Sequence, residues 1–167
     1  HLEQLTKAGI PIVEGLGDVL MLRGRYAQAG EFFESADALA SCGLTKAKIR
    51  SKLGELSFKR GDMGAAISDF EHALRLLGRY VPRRGWVACI LLAWEGAVQI
   101  LHTAFPKQLL HRINRQPDES ERLTMRLLSN LAQACWYSRS KPQALWAHVR
   151  ELNMGERVLP SSELAQA

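Results

Sequence analysis

Histidines and cysteines are the side chains of this 167-residue chain best suited to proton transfer, nucleophilic attack or metal binding. His72, His102, His111 and His148 each carry an imidazole that titrates near neutral pH and can act as a base. Nothing beside them in sequence supplies an obvious nucleophile or orienting group, and no HExxH or HxxxH puts two imidazoles on one helical turn. The three thiols, Cys42, Cys89 and Cys135, lie 47 and 46 residues apart with no CxxC pair, a spacing that suits reduced cysteines and not a disulfide frame. Asp118-Glu119 and Glu121 form a carboxylate group, but in a place where the N-terminus of a helix attracts acids. No GxxxxGK followed by Ser or Thr is present, no GxGxxG follows a strand, and neither GxSxG nor a kinase string occurs. The chain is therefore expected to hold no catalytic residue, no metal, no cofactor and no small-molecule substrate.

Chemistry being absent, the elements carry the information. Apolar residues make up 47% and charged residues 23%, which supports a packed core, and six prolines among many Ala, Leu and Gly favour helices over a many-stranded sheet. The chain also repeats itself. At an offset of 37, Leu16-Gly17 falls on Leu53-Gly54, Arg23-Gly24 on Arg60-Gly61 and Ala29 on Ala66, with Phe33 on Phe70, Ala36 on Ala73 and Leu39 on Leu76. Each unit reads as a helical hairpin. Gly17 or Gly54 sits on the first helix where the second must come close, and the Arg-Gly pair ends that helix with a left-handed cap. Ala, Phe and Ala at spacings of four and three then line one face of the second helix. Such a hairpin cannot bury both faces alone, so neighbours must stack on it.

These residues resemble the tetratricopeptide repeat. The match departs at the family's early Trp, replaced by Val13 and Arg50, and at its closing Pro, replaced by Ser41 and Gly78. The period of 37 also exceeds the family's usual length, which places a long linker around Cys42–Thr45. The resemblance implies an all-α, right-handed α-solenoid of antiparallel helical hairpins, with repeats at 10–41 and 45–78. It further implies a peptide groove lined by Glu14, Asp18 and Met21 from the first unit and Lys48, Ser51, Glu55, Phe58 and Lys59 from the second. Family members that clamp a terminal carboxylate use Lys and Asn there, so Glu14 and Asp18 have the wrong sign for that ligand.

Beyond residue 78 the register breaks. Trp86 to Phe105 is a twenty-residue run with fifteen apolar side chains, a length that also suits a membrane span. Glu95 and Gln99 sit near its centre, where a charge costs about 2.5–3.5 kcal/mol on insertion scales. The expectation is instead a buried helix in an irregular region, 84–112, with Trp86, Trp94 and Trp136 as core residues. A degenerate hairpin follows over 120–157, with Pro142 in the first turn of its second helix, and Ser161-Ser162-Glu163 starts a further helix over 160–167. Residues 1–78 carry ten basic and ten acidic groups, whereas residues 79–150 carry eleven and four. That basic segment makes a nucleic-acid-binding helical domain the alternative reading, although no helix-turn-helix spacing or dense Lys/Arg stripe accompanies it.

Val81-Pro-Arg-Arg84, Ala134-Cys-Trp-Tyr-Ser-Arg139 and Ala144–Arg157 are similar to parts of large bacterial signalling ATPases of the STAND/AAA type. There a nucleotide-binding module precedes a tetratricopeptide-like arm, often with an adenylate/guanylate cyclase or serine/threonine kinase domain ahead of it. This resemblance implies a cytoplasmic, non-catalytic, regulatory arm whose partner is a protein or peptide, either a domain of the same polypeptide or a separate chain. A free-standing adaptor is the other form of that reading. Since the chain opens on His1 and breaks off within a helix-like string, it is expected to be a piece of a longer protein.

Overall fold

The computed structural model describes residues 2–106, 115–138 and 141–158, and side chains from residue 9 onward. Among them seven helices and no strand occur, so the chain is all-α. In order they are α1 (Leu2–Leu22), α2 (Tyr26–Leu39), α3 (Gly43–Lys59), α4 (Met63–Leu76), α5 (Gly85–Ala104), α6 (Glu119–Tyr137) and α7 (Lys141–Gly155). The expected helix over 160–167 and the segment 107–112 lie outside the described residues. Two compact units divide the chain, residues 1–79 and residues 80–167.

The first unit is built from the repeat. α1 pairs with α2, α3 pairs with α4, and α2 also packs on α3. Gly24 and Gly61 take φ of 73° and 82°, the left-handed conformation that closes a helix without straining a Cβ. Around each, paired backbone bonds form the same cap: Gly24 N–H to Met21 O (3.1 Å) with Arg25 N–H to Leu20 O (2.9 Å), then Gly61 N–H to Phe58 O (3.0 Å) with Asp62 N–H to Ser57 O (3.0 Å). The close approach falls where the spacing places it. A Cβ on Gly17 would stand 2.5 Å from Cε1 of Phe33, and one on Gly54 the same distance from Cε1 of Phe70. The Phe33 ring then joins Ile10, Ala29, Ala36, Ala40, Ile49, Leu53 and Leu56 in one buried cluster. The linker expectation is corrected. Only Ala40–Cys42 separate α2 from α3, and the residues that lengthen the period lie inside α3.

In the second unit α7 packs against both α5 and α6. Asp118 caps α6 through a reciprocal box, accepting from Glu121 N–H (2.7 Å) while the Glu121 carboxylate accepts from Asp118 N–H (3.0 Å). Arg115 adds a two-pronged grip on that carboxylate, both bonds 2.8 Å. The acids at 118–121 therefore shape a helix start. α6 then buries Leu123, Leu127, Leu128, Leu131 and Ala134, and α7 contributes Ala144, Trp146 and Ala147.

Two expectations for this region are overturned. α5 is a regular helix but not a buried one: of its residues only Ala88, Glu95 and His102 are buried. Trp86, Trp94 and Trp136 are exposed, and Trp146 is the tryptophan of the core. Polar side chains of α5 have taken its inward face, which turns the apolar run outward. Trp136 instead stacks under the Lys141 ammonium, 3.9 Å from the ring centroid.

Candidate interaction surfaces

The residues expected to line a groove on α1 and α3 are partly brought together by a side chain the sequence reading passed over. Lys52 Nζ lies 2.7 Å from Glu14 Oε1 and 2.5 Å from Asp18 Oδ2, tying the two first helices of the hairpins to each other. Burial alone would lower the Lys52 pKa, but hydrogen bonds and charge from Asp18 and Glu14 outweigh it and hold it above the ordinary lysine value. One of the two acidic charges is thus balanced from within the unit. Met21 packs against the buried cluster, Ser51 is buried, Lys48, Glu55 and Phe58 are half-buried, and Lys59 is exposed. A second cation, Arg50, which stands where the repeat resemblance expects Trp, bridges Asp37 (2.6 Å) on α2 and Asp69 (3.3 Å) on α4. Asp69 has its pKa raised by burial, with Arg50 opposing that rise.

A different polar row organises the second unit. Glu95, Gln99 and His102 recur at spacings of four and three along α5, one helical face. Opposite them stand Arg150, Asn153 and Glu156, spaced by three at and beyond the end of α7. Arg150 donates to the Glu95 carboxylate, and Asn153 Nδ2 donates both to that carboxylate (2.8 Å) and to Glu95 O (2.9 Å). Gln99 Nε2 donates to Glu156 Oε1 (3.0 Å), and His102 Nδ1 lies 2.6 Å from Glu156 Oε2. Glu95 is 4% exposed and His102 6%.

His102 thus has a carboxylate to orient its ring, the arrangement a general base needs. Among the described residues, no Ser, Thr, Cys or Lys side chain is shown bonded to it. His72 and His148 are exposed, and His111 lies outside the described residues. Among the described residues, no group of three His, Cys, Asp or Glu is placed to hold a metal ion. Cys42 and Cys89 are exposed and Cys135 buried.

With its polar side turned in, α5 presents Trp86, Ile90, Trp94, Ile100 and Leu101 outward, each between 51% and 69% exposed. Ala93, Ala97 and Ala104 fill the same face, so its centre is shallow enough for another helix to approach closely. By length and composition the helix could also cross a membrane.

On the other side of α7, Glu151 is buried, its pKa raised to about 7 by burial against a weaker opposing hydrogen bond from Ser129 on α6. His148 Nδ1 stands 3.9 Å from its carboxylate.

No protein-family model matches the chain, and comparison with curated proteins finds no match either.

Proposed function

We propose that this chain is a non-catalytic protein-interaction region whose principal docking surface is the outward face of α5. One observation carries the reading: a twenty-residue helix hides its polar row and shows water its tryptophans and isoleucines. An apolar patch of that size is a partner site or a liability, and its buried polar row pins it in place. The partner that fits is a helix with an apolar face, supplied by a domain of the same polypeptide or by a separate protein. Aromatic anchors around small central residues suit helix-in-groove recognition.

In its finer form the chain is a tetratricopeptide-like, right-handed solenoid serving as the cytoplasmic regulatory arm of a signalling ATPase or cyclase. The equivalent hairpins and the residues similar to such ATPases support that form, and α5 would then be where the arm meets the module it regulates. The test is photo-cross-linking from position 94 in cells of the source organism. Expected is protein cross-linking at one partner segment, abolished by Ile90→Glu. Cross-linking to lipid, or a pattern indifferent to Ile90→Glu, sinks the reading.

A further inference from the structure

Along the outward face of α5, Trp86, Ile90, Ala93, Ala97, Ile100 and Ala104 recur at spacings of four, three, four, three and four, the two seam positions of a heptad. All six are exposed, and none carries a charge. Their positions are also symmetric about residue 95, since 86 and 104, 90 and 100, and 93 and 97 lie equally far from it. A second copy of α5, laid antiparallel across a two-fold axis at that point, sets Trp86 against the second copy's Ala104, Ile90 against its Ile100 and Ala93 against its Ala97. Each indole then meets a methyl, the isoleucines match in size, and the central alanines let the helix axes close. The rows beside the seam agree: near the axis Trp94 meets its own copy on one side, and Gly96 leaves room on the other.

We propose that the occupant of this face is a second copy of the same chain, α5 pairing with α5 in antiparallel register. The inference rests on the reading of α5 as the docking surface and names its partner. Charge favours the same direction. Arg83 and Arg84 are exposed at the N-terminus of α5, where the helix dipole disfavours cations. Antiparallel pairing brings them beside the second copy's C-terminal turn, where the dipole favours them. A parallel pair would crowd four arginines at one end and set Trp86 on Trp86. Glu95, at the middle of the helix, is bonded to Arg150 and Asn153 on the opposite side, so no carboxylate opposes its own copy across the axis. The seam runs along about 27 Å of helix and would cover about 1,200 Å² in total, the low end of specific interfaces. A dimer in the micromolar range is therefore expected. Well below that concentration the chain is a single copy, with the stability of its own fold alone.

The test follows the full chain by analytical ultracentrifugation from about 1 to about 200 µM, where a reversible step from monomer to dimer is expected. Ala93→Lys, at the centre of the seam, should abolish that step. The pairing of unlike sizes supplies the decisive variants. Trp86→Ala leaves a gap over the second copy's Ala104, and Ala104→Trp sets ring on ring, so each should weaken the dimer about tenfold or more. Together the two changes exchange indole and methyl in both copies, and the double variant should return to within about threefold of the parent. All three positions are exposed in the single chain, and circular dichroism checks that each variant is folded. Should one not fold, Trp94→Cys replaces it. Oxidation of that variant should link residue 94 to residue 94 of the second copy, identified by peptide mass apart from any link through Cys42 or Cys89. A dimer indifferent to Ala93→Lys, a double variant as weak as the single ones, or no link between the two residues 94 overturns the inference. So does a chain that stays monomeric throughout. If residue 94 of that monomer still cross-links to another protein, the docking role of α5 stands without a second copy; if it cross-links to lipid or to nothing, both readings fall.

Discussion

At the scale of single residues, the two glycines facing phenylalanines are the most constrained positions. Ala is a better helix former than Gly by about 1 kcal/mol, so on propensity Gly17→Ala and Gly54→Ala would stabilise. The rings at 2.5 Å decide otherwise, because both are buried and cannot swing away. Overpacking of this kind costs about 1–3 kcal/mol, and each alanine variant should come out net destabilised in urea melts. Phe33→Leu should recover part of the Gly17→Ala loss and none of the Gly54→Ala loss, a non-additivity that a double-mutant cycle reads directly. Glu151 gives a second residue-level expectation, in pH. Its folded pKa of about 7 lies above the reference 4.5, so the native state keeps a proton that the unfolded chain has already released. The stability associated with the protonated carboxyl is present below pH 4.5 and is lost as pH rises through 7. Glu151→Gln, which cannot ionise, should be about 2 kcal/mol more stable than the parent at pH 8 and within about 0.5 kcal/mol of it at pH 4. Denaturant midpoints across that range check it, and parallel curves for the two proteins would show the carboxyl to be ionised in the native state.

At the scale of elements, α5 inverts the usual order of substitution costs. Ile90→Glu and Trp94→Glu remove large apolar side chains yet should change stability by no more than about 0.5 kcal/mol, because both are exposed. Glu95→Ala removes a charge and should cost about 2 kcal/mol, since it takes the carboxylate from the buried Asn153 amide and leaves the partly exposed Arg150 to water. Thermal melts of the three variants test the pattern, and a larger loss from Trp94→Glu than from Glu95→Ala would contradict the assignment of faces. That inversion also marks where the sequence stopped being legible. In α1–α4 the spacing of Gly, Phe and Ala determines which face is buried, because each small residue has one ring to receive. Caps at Gly24 and Gly61 were readable for the same local reason. In α5 apolar residues surround the helix, so composition alone chose no face. The choice is made by Arg150, Asn153 and Glu156, more than fifty residues away, and no local pattern connects them to Glu95. The bridging roles of Lys52 and Arg50 were illegible for the same reason. Their carboxylate partners lie on other helices, and a lysine or arginine in an unremarkable polar run gives no sign of its partner.

At the scale of the whole molecule, the uneven charge raises the question of nucleic acid, and the partners of four of the eleven basic side chains in residues 79–150 bear on it. Binding to a duplex draws its strength from cations free to replace counterions along the phosphates. Of the basic residues between 79 and 150, Arg150 is bonded to Glu95, Arg115 grips Glu121, Arg122 donates to Pro117 O and Lys141 donates to Trp136 O while covering its ring. Each would lose an internal partner in turning to a phosphate. Trp86 and Trp94 are exposed as base-stacking would require, but their helix surrounds them with Ile90, Ala93 and Ala97 in place of a cationic track. The expected result is weak association with a fluorescent duplex or single strand at about 50 mM salt, gone by about 200 mM, with the curve unchanged by Trp94→Glu. Submicromolar binding at about 150 mM salt that falls on Trp94→Glu would reverse the assignment of α5, making its aromatic face a stacking platform. The same titration with the Glu95→Ala variant adds an internal control. Releasing Arg150 supplies one more free cation, so residual binding at low salt should rise slightly and steepen its salt dependence by about one counterion.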